Sequence, residues 1–98
     1  MSGTTATLTL RIVTPEGALP STGCDSVRLT VCDDGQGKGG GSYGIRPGHT
    51  KALFALDAGP IRAFLAGVQI LSGRTGGGFA TVDGDTVTAV VESFERVL

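Results

Sequence analysis

Turn-forming residues punctuate this chain at intervals of about ten residues, which leaves room for short strands but not for a dozen-residue helix between them. Pro15-Glu16-Gly17, Pro20, Gly23, the run Gly35–Gly41, Pro47-Gly48, Gly59-Pro60, Ala66-Gly67, Gly76-Gly77-Gly78 and Asp83-Gly84-Asp85 follow one another along the sequence. Seventeen glycines and four prolines supply these turns, and 98 residues set the limit at one domain. Between the turns, apolar residues recur with a period of two, the mark of a strand with one buried face. Leu8–Val13 places Leu8, Leu10 and Ile12 on one side, with Thr9 and Arg11 on the other. Ser26–Cys32, Ser42–Arg46, Lys51–Leu56, Ile61–Leu65, Val68–Leu71, Phe79–Val82 and Thr86–Val91 read as further strands. Ala18–Cys24 reads as a connecting loop, and only Glu92–Leu98 has the makings of a helix. The expected fold is all-β: an antiparallel β-sandwich or flattened barrel of about 8–10 short strands, a single domain over residues 1–98.

The composition excludes several functions. The formal net charge is −1 and no Lys/Arg cluster stands out in the sequence, so a nucleic-acid partner is not expected. No apolar run reaches the length of a membrane-spanning helix, so direct membrane insertion is not expected. The start Met1-Ser2-Gly3-Thr4 lacks the basic and apolar regions of a signal peptide, which points to the cytoplasm. Cys24 and Cys32 match no zinc or redox spacing and read as reduced thiols.

Catalytic chemistry finds little to work with. His49 is the sole histidine, so a nucleophile such as Ser21, Ser42 or Cys32 would have to use it. It follows Pro47-Gly48 in a turn, with nothing in the sequence to orient it as a base. Gly35–Gly41 resembles a phosphate-cradling loop only superficially: Lys38 is followed by Gly39, and a strand comes next where a Walker motif needs Ser or Thr and a helix. This glycine run reads as a mobile hairpin loop. Asp33-Asp34 and Asp83/Asp85 are too sparse for a calcium loop. No catalytic residue, metal site or cofactor is expected, and the chain reads as a binding or assembly module.

One ordered set of residues carries a resemblance. Gly44-Ile45-Arg46-Pro47-Gly48-His49 is followed by Leu56, Gly59, Ile61 and Ala63, then Gly77-Gly78-Phe79 and Val82, then Val87-Thr88-Ala89-Val90. In order and spacing the set resembles the N-terminal β-sandwich of the epsilon subunit of F-type ATP synthases, over residues 8–92. The resemblance implies a non-catalytic rotor component of the central stalk. Such a subunit links the gamma subunit to the membrane ring of c subunits and couples proton or other ion transport to ATP synthesis or hydrolysis. It would sit on the cytoplasmic side of a bacterial plasma membrane, held there through the complex. It also implies positions: Thr14, His49 and Phe54 toward gamma, and Ser42 and Tyr43 toward the c-ring. The C-terminal helical hairpin that often follows this domain in the family is absent from residues 1–98. The alternative is a small ligand- or carbohydrate-binding β-sandwich; with aromatics at 5% and Tyr43 the sole tyrosine, stacking on sugars has few residues to use.

Overall fold

The computed structural model describes residues 7–32, 41–48 and 50–97. His49 and most of the Gly35–Gly41 loop lie outside the described residues. Eleven strands run in chain order: β1 (Leu8–Thr14), β2 (Gly17–Ala18), β3 (Thr22–Cys24), β4 (Ser26–Val31), β5 (Gly41–Ile45), β6 (Ala52–Leu56), β7 (Gly59–Leu65), β8 (Val68–Thr75), β9 (Gly78–Asp83), β10 (Thr86–Val91) and β11 (Phe94–Arg96). No described residue is helical. The strands form one curled sheet in the order β11-β8-β7-β4-β6-β9-β10-β1-β2, with β3 beside β1 and β5 beside β4.

The chain crosses from one wall to the other at short bends between strands. Asp57-Ala58 separates β6 from β7, and Gly76-Gly77 separates β8 from β9. β6, β9, β10, β1, β2 and β3 make one wall; β5, β4, β7, β8 and β11 make the other. On the far side Asp25 joins β3 in the first wall to β4 in the second, and its N–H donates to the Phe64 carbonyl at 2.9 Å. Thr30 and Thr75 hold the bend. The Thr30 hydroxyl donates to the Pro60 carbonyl at 3.1 Å and the Thr75 hydroxyl to the Gly59 carbonyl at 3.3 Å. Gly59 is required here, since a Cβ would come within 2.6 Å of Thr30 Oγ1.

Alternation decides the core. Leu8, Leu10, Ile12, Ala80, Val82, Val87, Ala89 and Val91 point inward from the first wall, against Val27, Leu29, Ile45, Ile61, Ala63 and Leu71 from the second. Each large side chain so buried stabilises the fold by about 1.5–3 kcal/mol. Ala80 and Ala89 are register partners, and Ile12 is opposite Ala89, so small residues sit beside a large one.

Three local expectations are corrected. The Ala18–Cys24 stretch is not all loop: β2 and β3 pair with β1, at Val13↔Ala18 and Leu8↔Cys24. The end of the chain is not helical: Phe94–Arg96 pairs with β8, and the Phe94 ring lies where Gly73 has no side chain. The sheet is not wholly antiparallel either, since β1 and β10 run parallel. Closing a sandwich brings the first and last long strands side by side, and their relative direction follows from that closure rather than from any hairpin.

Candidate functional site

The most distinctive surface is on the outside of the first wall. Residues directly opposite one another in neighbouring strands share a face. The register Ala55↔Phe79, Phe79↔Val90, Val90↔Val13 and Val13↔Ala18 therefore draws one apolar row across β6, β9, β10, β1 and β2. Phe79 keeps 45% of its surface in solvent. Leu53, 68% exposed, belongs to the adjacent row with Thr81, Thr88 and Arg11. The third row is polar: Lys51 and Asp83 pair at 3.8 Å, both well exposed. Thr14, Pro15, Gly77, Gly78, Phe79 and Val90 border a shallow hollow alongside the apolar row.

Each position implied by the resemblance has a definite place, His49 excepted, which is outside the described residues. Thr14 ends β1 and lies at the rim of that hollow; its hydroxyl donates to the Gly17 carbonyl at 3.2 Å and accepts from the Glu16 N–H at 3.2 Å. Phe54 is on β6, in register with Ala80, Ala89 and Ile12, and so three strands away from β1. That separation is about 14 Å. By that register Phe54 falls in the inward row, half-buried against the core, and is not part of the outward apolar row. Ser42 and Tyr43 occupy opposite faces of β5. The Ser42 hydroxyl accepts from Arg28 Nη1 at 3.0 Å on the outside, whereas Tyr43 meets Phe54, ring centroids 4.8 Å apart. The two aromatics bridge the mouth of the sandwich.

Sequence reasoning passed over Phe79, Val90, Val13 and Leu53 as surface residues. The signal was present where alternation fails: Ile12-Val13 and Ala89-Val90-Val91 continue apolar onto the outer face. What no single segment reveals is that pairing register brings them into one line.

Cys24 is fully buried, and burial pushes its thiol above the ordinary value, with the Ser26 backbone hydrogen bond opposing and the nearby Asp25 charge adding to the rise. Among the described residues, no group of His, Cys, Asp and Glu could hold a metal ion. No helix among them is long and apolar enough to cross a membrane.

A packed core between two walls and an outward apolar row define a β-sandwich domain. The match to known proteins specifies the class further. The family described as ATP synthase, Delta/Epsilon chain, beta-sandwich domain matches residues 7–97, and the chain belongs to it. It is 38% identical over 92 residues to the ATP synthase epsilon chain of Synechococcus sp. strain WH7803, and 36% identical over 88 residues to that of strain CC9311. Each alignment covers 90% of this chain and 59% of the relative, so the chain spans well under two thirds of the length of these curated relatives. The fold is shared with a chain of the Euglena gracilis mitochondrial ATP synthase at TM-score 0.76 and 16% identity, over 97% of this chain and 56% of that one. A chain of the Tetrahymena thermophila mitochondrial ATP synthase central stalk and c-ring assembly matches at TM-score 0.66 and 16% identity, over 95% of this chain and 69% of that one.

Proposed function

We propose that this chain is the β-sandwich part of an epsilon subunit in a rotary F-type ATP synthase. It is a non-catalytic element of the central stalk, seated between the gamma subunit and the c-ring, and it helps couple ion movement to ATP synthesis or hydrolysis. Its place is the cytoplasmic side of a bacterial membrane, reached through the complex. The observation that carries this proposal is family membership over residues 7–97, together with the outward apolar row through Val13, beside which Thr14 ends β1. A transmitting part needs stiffness and surfaces, and a closed sandwich supplies both. The Synechococcus relatives carry the epsilon chain name, which supports a bacterial setting. The carbohydrate-binding alternative has less support, because Tyr43, the aromatic it would use, packs against Phe54.

Co-expression with the gamma subunit from the same genome tests the proposal. The two should co-purify as a stoichiometric complex of standard interface size, about 800 Å² on each partner. If both proteins fold and never associate, the epsilon proposal fails.

A further inference from the structure

Arginines gather on the outward face of the second wall. Arg28 of β4 stands directly opposite Arg62 of β7, which is itself opposite Ser72 of β8. Arg74 follows on the same face of β8, opposite Pro60. Arg46, immediately after β5, borders the same hollow as Arg28. All four are exposed. The acidic groups placed beside them are Asp25, whose Oδ2 already accepts from the Ala66 N–H at 3.0 Å, and Glu95, opposite Arg74. The Lys51–Asp83 ion pair belongs to the other wall.

Like charges directly opposite on neighbouring strands destabilise a sheet. Folding by itself gives no reason to set Arg28 against Arg62. Nor is the Arg28 head loosely placed. It donates to Ser42 and lies over Gly44, where a Cβ would be 4.0 Å from its Cζ.

We propose that this face docks an acidic helical segment of a partner protein, with carboxylates three or four residues apart. The match is one of spacing. Directly opposite residues on paired strands hold their Cβ atoms about 4.5–5.5 Å apart, and helix residues at i and i+4 hold theirs about 5–6 Å apart. A guanidinium fork binds a carboxylate through two parallel hydrogen bonds. All four cations are arginine, the cation enriched at protein interfaces, where lysine is depleted. A membrane surface would draw on large apolar anchors such as Trp, Phe and Leu beside the cations; the exposed aliphatic residues of this wall, Val68 and Val97, are small, and the exposed Leu53 and Phe79 are on the opposite wall.

The test is fluorescence anisotropy of the full chain against a synthetic helical peptide of about twenty residues with Glu at i and i+4 along one face. Its twin carries Gln at every Glu position, and vesicles of phosphatidylglycerol form a third arm. The Glu peptide should bind at least about tenfold more tightly than the Gln twin, and Arg28→Gln with Arg62→Gln should lose about that factor. Lys51→Gln, on the other wall, should leave binding within about twofold, and added salt should weaken it. Equal binding of the twin, an unchanged double variant, or arginine-dependent vesicle binding without peptide binding overturns the proposal. Thermal melts give an independent arm. Arg62→Gln should melt at or above the parent in low salt, because cross-strand repulsion is relieved; a marked fall assigns Arg62 a structural role and overturns the proposal too.

Discussion

The rings of Tyr43 and Phe54 meet with centroids 4.8 Å apart and planes tilted by 45°. The resemblance assigns one of these residues to the c-ring and the other to gamma, and the structure makes them neighbours at the mouth of the sandwich. Tilted aromatic pairs contribute about 0.5–1.5 kcal/mol beyond the area they bury. A double-mutant cycle of Tyr43→Ala and Phe54→Ala, followed by urea unfolding, should return a coupling energy in that range. A coupling indistinguishable from zero would mean that the two rings act independently.

The turn at Ala66-Gly67 carries a measurable strain. Leu65 and Val68 are register partners, so two residues make the turn, and both have positive φ: 54° at Ala66 and 80° at Gly67. That is the hairpin geometry that asparagine favours at its first position and alanine resists. Ala66→Asn should stabilise the domain by about 0.5–1 kcal/mol, seen as a rise of a few degrees in Tm. Ala66→Val should lower Tm. The Asp25 carboxylate accepts from the Ala66 N–H, so Asp25→Ala should cost about 0.5–1.5 kcal/mol by freeing the same turn. If Ala66→Asn leaves Tm unchanged or lower, the strain argument is wrong.

Much of this architecture was legible because strand periodicity is local. Leu8, Leu10 and Ile12 announce their common face within six residues, and Asp83-Gly84-Asp85 announces its turn in three. The remainder depends on pairing across the chain. β2 and β3 are two and three residues long, too short for any period, and exist because the β1 edge is open to them. β11 depends on Phe94 finding Gly73, a vacancy visible only after β8 is in place. The parallel β1–β10 pair is a property of closure. At the surface, Thr14 could be named from the resemblance, but the row beside it joins residues from five segments through register alone.

Two glycines make a sharp comparison. At Gly78 a Cβ would run into the Val90 carbonyl oxygen, whereas at Gly44 the nearest atom is Arg28 Cζ at 4.0 Å and φ is not positive. Gly78→Ala should therefore force the β9–β10 backbone apart and cost about 2 kcal/mol or more. Gly44→Ala should be within about 0.5 kcal/mol of the parent. Chemical denaturation of the two variants side by side checks this, and equal effects would contradict the close approach at Gly78.

Cys24 predicts a pH dependence. Its thiol is buried, and its native pKa is raised. A raised native value means that the folded state holds the proton more tightly than the unfolded state. The stability so gained is fully present below the ordinary value of 9.0 and is lost as pH rises through the raised native value. Denaturant midpoints of the parent should fall above that ordinary value, and Cys24→Ser should show a smaller fall. In the native state a thiol reagent should modify half-buried Cys32 before Cys24, with both reacting once urea is added. Rapid native modification of Cys24 would contradict the closed core around it.

The outward row makes the closing prediction about function. Phe79 is a large apolar residue at the centre of Ala55, Phe79, Val90 and Val13, and nearly half of it faces solvent. Buried aromatic anchors dominate protein interfaces, and truncating one commonly costs about 2 kcal/mol or more of binding, roughly thirtyfold in affinity. Phe79→Ser should therefore weaken association with the gamma subunit by that order, while the Tm of the isolated domain shifts far less than for a core substitution. Val97→Ser removes a comparably exposed apolar side chain beyond β11, on the other wall, and should leave gamma binding unchanged. Titration calorimetry with purified gamma separates the two. If Phe79→Ser binds like the parent and Val97→Ser does not, gamma docks on the opposite wall, and the first-wall row has another partner.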